Sequence, residues 1–157
     1  FIIIIGGNKI KFCEFEYLFK ALSNNYHFLE GVIEASSTKL ALNYLIASLT
    51  HNFSNILKFL EYKNIDVDKF MEILRVSALY APTFDKKLGR MKSENYDNPN
   101  FNLNNLSKDI ELFFKEVKSA QFEIESIKYL YKLLKKSEKI GLDKKDYSII
   151  HKLTSDL

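Results

Sequence analysis

Residues 36–62, SSTKLALNYLIASLTHNFSNILKFLEY, are the stretch from which the fold is read. Leu42, Leu45, Ile46, Leu49, Phe53, Ile56, Leu57 and Leu60 recur at steps of three and four, and neither Pro nor Gly interrupts them. That spacing lines apolar side chains along one side of an α-helix, so a single long helix is expected, with Ser36 or Ser37 as its N-cap.

Downstream, the same period returns in shorter pieces. Asp66 can cap a second helix with Phe70, Ile73 and Leu74 facing inward, Pro82 closes the segment after it, and Phe84–Met91 reads as a third helix. NYDNPN at 95–100 is turn chemistry and forms a loop. A fourth helix is expected from Asn105 to Gln121, burying Ile110, Phe113, Phe114 and Val117. A fifth is expected from Ser126 to Lys139, with Ile127, Leu130, Leu133 and Leu134 inward and Gly141 as its stop. The last begins near Asp143 and carries Tyr147, Ile149, Ile150 and Leu153. No repeat of fixed period joins these helices, which argues against a solenoid.

Upstream the pattern changes. Phe1–Ile5 is a β-branched run stopped by Gly6-Gly7, the composition of a buried parallel strand. A helix over Lys9–Leu22 and a second short strand over Tyr26–Leu29 complete a β-α-β unit. Two strands do not bury their own faces, so the unit reads as the closing piece of an open parallel sheet whose other strands lie outside this sequence. A small two-stranded appendage packed on the helices is the other reading. The expected class is therefore mainly α, with residues 1–34 as an α/β remnant and 35–157 as a helical domain.

Composition narrows the possible functions. Of 157 residues, 46% are hydrophobic and 27% charged, and the net charge is +3, as in an ordinary globular domain. Lys135, Lys136 and Lys139 interleave with Glu138, and Lys86 and Lys87 follow Asp85. Such runs read as solvated helix faces rather than a nucleic-acid footprint. Cys13 is the single cysteine, which rules out an intrachain disulfide and suits the cytoplasm. No apolar run approaches the ~20 residues of a membrane span. His27, His51 and His151 lack metal-ligand spacing, and Asp143 and Asp146 read as helix-start residues, so no metal is expected.

Three local patterns carry more. Thr38-Lys39-Leu40-Ala41-Leu42-Asn43 opens the long helix, FNLNNLSKD spans 101–109, and GLDKKDYSII spans 141–150. In this order and at these distances they resemble the C-terminal part of the β-hydroxyacid dehydrogenases, the group that includes 3-hydroxyisobutyrate dehydrogenase and tartronate semialdehyde reductase. The resemblance extends over nearly the whole chain. It implies a helical domain like the C-terminal domain of 6-phosphogluconate dehydrogenase, entered by a long interdomain helix and preceded by the end of a Rossmann domain. Relatives with the activity of 6-phosphogluconate dehydrogenase carry His where Leu42 stands, and imine reductases lack a lysine at position 39; both departures argue against those activities.

The resemblance implies hydride transfer between NAD or NADP and a small 3-hydroxy acid or semialdehyde acid. Lys39 would be the general acid and base, Asn43 and Phe101 substrate-binding residues, and Lys108 and Asp109 the cofactor-side pair. It also implies a homodimer or homotetramer, a dinucleotide held mainly by a domain outside this sequence, and little activity from this stretch alone. The family's glycine-rich turn before the lysine is replaced here by Glu30, Ile33 and Ala35. That departure leaves open the substrate and a second function, a non-catalytic helical interaction module descended from the enzyme.

Overall fold

The structure, a computed structural model, describes residues 2–121 and 124–154, so Phe1 of the expected first strand lies outside the described residues. Strand β1 (Ile3–Gly6), helix α1 (Lys9–Leu22) and strand β2 (Tyr26–Leu29) come first. Helices α2 (Val32–Tyr62), α3 (Val67–Val76), α4 (Pro82–Ser93), α5 (Leu103–Ser119) and α6 (Glu125–Lys139) follow. A 3-10 turn over Tyr147–Ile149 runs into α7 (Ile150–Leu153). The chain divides into two compact units, residues 1–43 and 44–157, with the boundary inside α2.

In the first unit β1 and β2 pair in parallel, Ile3 opposite Tyr26 and Gly6 opposite Leu29. Asn8 caps α1, its side-chain oxygen accepting from the amides of Ile10 (2.9 Å) and Lys11 (3.2 Å). Phe12 stacks on Phe28 with ring centroids 4.6 Å apart and on Phe19 at 5.9 Å. This small sheet covers only part of α1: Phe15, Leu18 and Leu22 remain exposed although they share its helical spacing.

Gly6 explains why the first strand ends in glycine. A Cβ there would stand 2.5 Å from the Gly31 carbonyl oxygen and 2.9 Å from the Val32 Cα, so β1 and the start of α2 touch backbone to backbone. Helix α2 thus begins a turn before Ser36, and the expectation of a Ser36 or Ser37 cap is corrected. Gly31 precedes the first turn, its N–H donating to the Glu34 carboxylate (3.3 Å) as in half of a capping box. Ser36 lies inside the helix and its hydroxyl donates to the Val32 carbonyl (2.8 Å).

The second unit has two cores. Ala47, Leu103, Leu106, Ile110, Ile127, Leu130, Leu134 and Ile150 belong to one, built largely by α5, α6 and the C-terminal turns. Phe53, Leu57, Leu60, Met71, Leu74, Phe84, Leu88 and Met91 form the other, between the later turns of α2 and helices α3 and α4. Each fully buried Leu or Ile contributes roughly 1.5–3 kcal/mol of transfer free energy, so these residues decide how the helices associate.

The inward stripe of α2 is Ala47, Thr50, Phe53, Ser54, Leu57 and Leu60. Leu42, Leu45 and Ile56, which share the apolar period, are exposed. Ser54 can face the core because its hydroxyl is satisfied there, 2.9 Å from His151 Nδ1 and 2.7 Å from Thr154 Oγ1. Ile73 is likewise 69% exposed, a correction: α3 turns Met71 and Leu74 inward instead. Pro82 does not close a segment but opens α4 at its first turn, where a missing N–H costs nothing. Gly141, at φ +76°, ends α6 as expected, its N–H donating to the Glu138 carbonyl. No helix among the described residues is long and apolar enough to cross a membrane.

Candidate functional site

Lys39 lies in the second turn of α2 and is exposed. Asn43, four residues on and half-buried, shares its helix face. The backbone under both residues is regular helix, so an ammonium and an amide stand one turn apart on one helix face. Both belong to the first unit. Phe101, Lys108 and Asp109 belong to the second.

Phe101 is half-buried just before α5, its ring meeting the edge of Tyr147 with centroids 5.8 Å apart. Asn102 caps α5 by accepting from the Asn105 amide (2.9 Å). One and a half turns later Lys108 points to solvent, whereas Asp109 is 2% exposed. The Lys-Asp pair is therefore split between the outside and the inside of α5. Adjacent residues on a helix point about 100° apart, which lets the pair straddle the edge of the buried face.

Sequence reasoning missed a buried ion pair. Lys87, read as part of a solvated run, is 8% exposed and its Nζ donates to both oxygens of Asp146 at 2.9 and 2.8 Å. A signal was available: Lys87 falls among Phe84, Leu88 and Met91, on the apolar side of α4. Asp146 is fully buried and starts the 3-10 turn, as its reading as a helix-start residue anticipated, accepting from the Ser148 amide (3.0 Å) and hydroxyl (2.7 Å). The Lys87 ammonium also sits 4.3 Å above the Tyr147 ring, whose hydroxyl is 3.2 Å from Thr83 Oγ1. Burial raises the Tyr147 phenol above its ordinary range.

His51 and His151 are half-buried in the second unit. His51 meets the Tyr129 ring at 5.1 Å, and burial lowers its tendency to protonate. His151 is lowered first by burial and then by Lys58, against an opposing pull from Glu61 and Glu94. A cavity of about 480 Å³ bordered by Leu57, Met91, Glu94 and His151 includes none of the five residues singled out from the sequence. Among the described residues no group of three or more His, Cys, Asp or Glu is placed to hold a metal ion.

Residues 34–154 match the family described as "NAD-binding of NADP-dependent 3-hydroxyisobutyrate dehydrogenase". Glyoxylate/succinic semialdehyde reductase 1 of Arabidopsis thaliana is 26% identical over 149 residues, covering 95% of this chain and 51% of that protein. The 3-hydroxyisobutyrate dehydrogenase of Salmonella typhimurium superposes with a TM-score of 0.83 at 15% identity, over 94% of this chain and 52% of its own. That of Mycobacterium tuberculosis, solved with L-serine, gives 0.83 at 10% identity, over 95% and 53%. At such identities the structural likeness speaks for the fold. The chain spans about half the length of these relatives.

Proposed function

This chain belongs to the 3-hydroxyisobutyrate dehydrogenase family, and from that membership we propose that the protein containing it transfers a hydride between NAD(P) and a small 3-hydroxy acid or semialdehyde acid. Residues 1–34 would be the closing β-α-β of the dinucleotide-binding domain, and 35–157 the helical domain that completes the active site. The parallel β1–β2 pair and the exposed apolar side of α1 support that division.

Lys39, one helical turn from Asn43 on the same face of α2, carries the reading. Its ammonium donates a hydrogen bond to the substrate carbonyl oxygen, stabilises the alkoxide as it develops, and delivers the proton; in oxidation it takes the proton back. Asn43, one turn on, both donates and accepts, and orients the substrate's hydroxyl or carboxylate. Phe101 is proposed as a further substrate-binding residue. Reduced NAD(P) supplies the hydride. The outward ammonium of Lys108 suits the cofactor side, and Asp109, held inside α5, organises that helix face beneath it. The choice between NAD and NADP lies with residues that read the ribose elsewhere in the protein. Semialdehydes of the glyoxylate and succinic semialdehyde type are the first substrates to try, since a relative is named for them.

The test is Lys39→Ala in the full-length protein, followed by loss of reduced-nicotinamide absorbance with these semialdehydes. Turnover should fall by about 10²–10⁴-fold with the fold retained. Turnover near that of the wild type would end the assignment.

A second reading, a non-catalytic helical module, draws on the turn before Lys39, where Ile33 is 80% exposed in place of the family's glycine. Absence of dinucleotide binding by the full-length protein would favour it. In either case we expect a homodimer or homotetramer, since Phe59, Tyr62, Ile73, Val76 and Leu79 are all exposed, and light scattering checks it. The exposed thiol of Cys13 suits the cytoplasm.

A further inference from the structure

The surroundings of Asp146 hold more than an ion pair. Its own amide donates to the Tyr96 carbonyl (2.8 Å), and it forms an isolated antiparallel bridge with Asn102. Around it the Leu103 amide donates to the Lys145 carbonyl (2.9 Å), the Asn104 amide to that of Asp143 (2.9 Å), and the Tyr147 amide to that of Phe101 (3.2 Å). Segment 143–147 is thereby stitched to the exit of the 95–100 loop and the first turn of α5. From the other side α4 grips both partners. Arg90 donates to the carbonyls of Asn95, Asp97 and Asn98 at 3.3, 2.6 and 3.0 Å, while Lys87 holds Asp146. The Tyr147 ring meets both the Lys87 ammonium, 4.3 Å from its centroid, and the ring of Phe101, 5.8 Å between centroids.

A buried ion pair is seldom worth more to stability than two well-packed apolar side chains, but it is directional where they are not. We propose that Lys87 and Asp146 are positioning residues of the substrate side of the site. By fixing segment 143–147 and the Tyr147 ring they hold Phe101 in one geometry. The inference rests on the proposed role of Phe101 in substrate binding.

Four variants of the full-length protein test it: Lys87→Met, Lys87→Met with Asp146→Leu, Phe101→Leu, and Lys87→Met with Phe101→Leu. Lys87→Met should raise KM for the semialdehyde about tenfold, with kcat within about threefold and dinucleotide affinity unchanged. Combined with Phe101→Leu it should add little, because both changes act through one ring. The apolar double variant should regain thermal stability without regaining KM. Recovery of KM together with stability, or full additivity with Phe101→Leu, overturns the proposal. Hydrogen exchange gives a readout independent of activity: amides of 96–104 and 143–147 should exchange faster in Lys87→Met while those of α6 do not, and unchanged local exchange also overturns it. A wild type that reduces no semialdehyde instead overturns the proposed function, and the exchange result still decides the positioning.

Discussion

Replacing Asp146 with alanine should cost more stability than replacing its partner with methionine. In Asp146→Ala the Lys87 ammonium, at 10% side-chain exposure, loses both carboxylate oxygens and keeps the face of Tyr147. The amide and hydroxyl of Ser148 lose their acceptor as well. An uncompensated buried charge of this kind costs about 3–5 kcal/mol. Lys87→Met is milder, because the carboxylate left behind still accepts from Ser148 and has Arg90 Nε 3.9 Å away. About 2–3 kcal/mol is expected there. Lys87→Met with Asp146→Leu removes both charges and should return to within about 1 kcal/mol of the wild type, the remainder being the lost cap on the 3-10 turn. Equilibrium urea unfolding followed by circular dichroism measures all three. With a slope of about 2 kcal/mol per molar urea, Asp146→Ala should lower the midpoint by about 2 M at an unchanged slope. Equal losses from the two single variants, or both below about 0.5 M, would refute the argument.

Gly6→Ala should destabilise by about 1–3 kcal/mol, since its Cβ would meet backbone atoms of Gly31 and Val32 and push away the turn that leads to Lys39; thermal unfolding and turnover should fall together. Ile110→Ala, at a fully buried site, should cost about 2–5 kcal/mol in the same urea assay. Stability should drop as pH falls below the ordinary histidine value of 6.5, because His51 and His151 titrate lower in the folded chain than in the unfolded one. The unfolded chain then takes up protons first, so the contribution is complete above that value and is lost as pH falls toward the lowered folded values. Urea midpoints against pH check it, and the slope should flatten in a His51→Phe, His151→Gln variant.

The helices were legible because their signals are local. Gly141 supplies a left-handed stop to α6, Asp66 caps α3 with its carboxylate on the Asp68 amide (2.7 Å), and the apolar period marks each element. The candidate site was legible only through order and spacing along the chain: Lys39 and Asn43 share a face because any helix puts them there. Which side of a helix turns inward was not legible where apolar residues outnumber the places to bury them. Leu42, Leu45, Ile56 and Ile73 keep the period and face outward, while Thr50 and Ser54 go in.

By itself, then, the amino-acid order determined most of the element types and the family to which the chain belongs. The tertiary structure alone decided that Lys87 leaves solvent for Asp146, 59 residues away, and that glycine must stand where β1 meets α2. Local periodicity depends on neighbours within a few residues. A buried charge or a backbone contact depends on what folding brings to it from far along the chain.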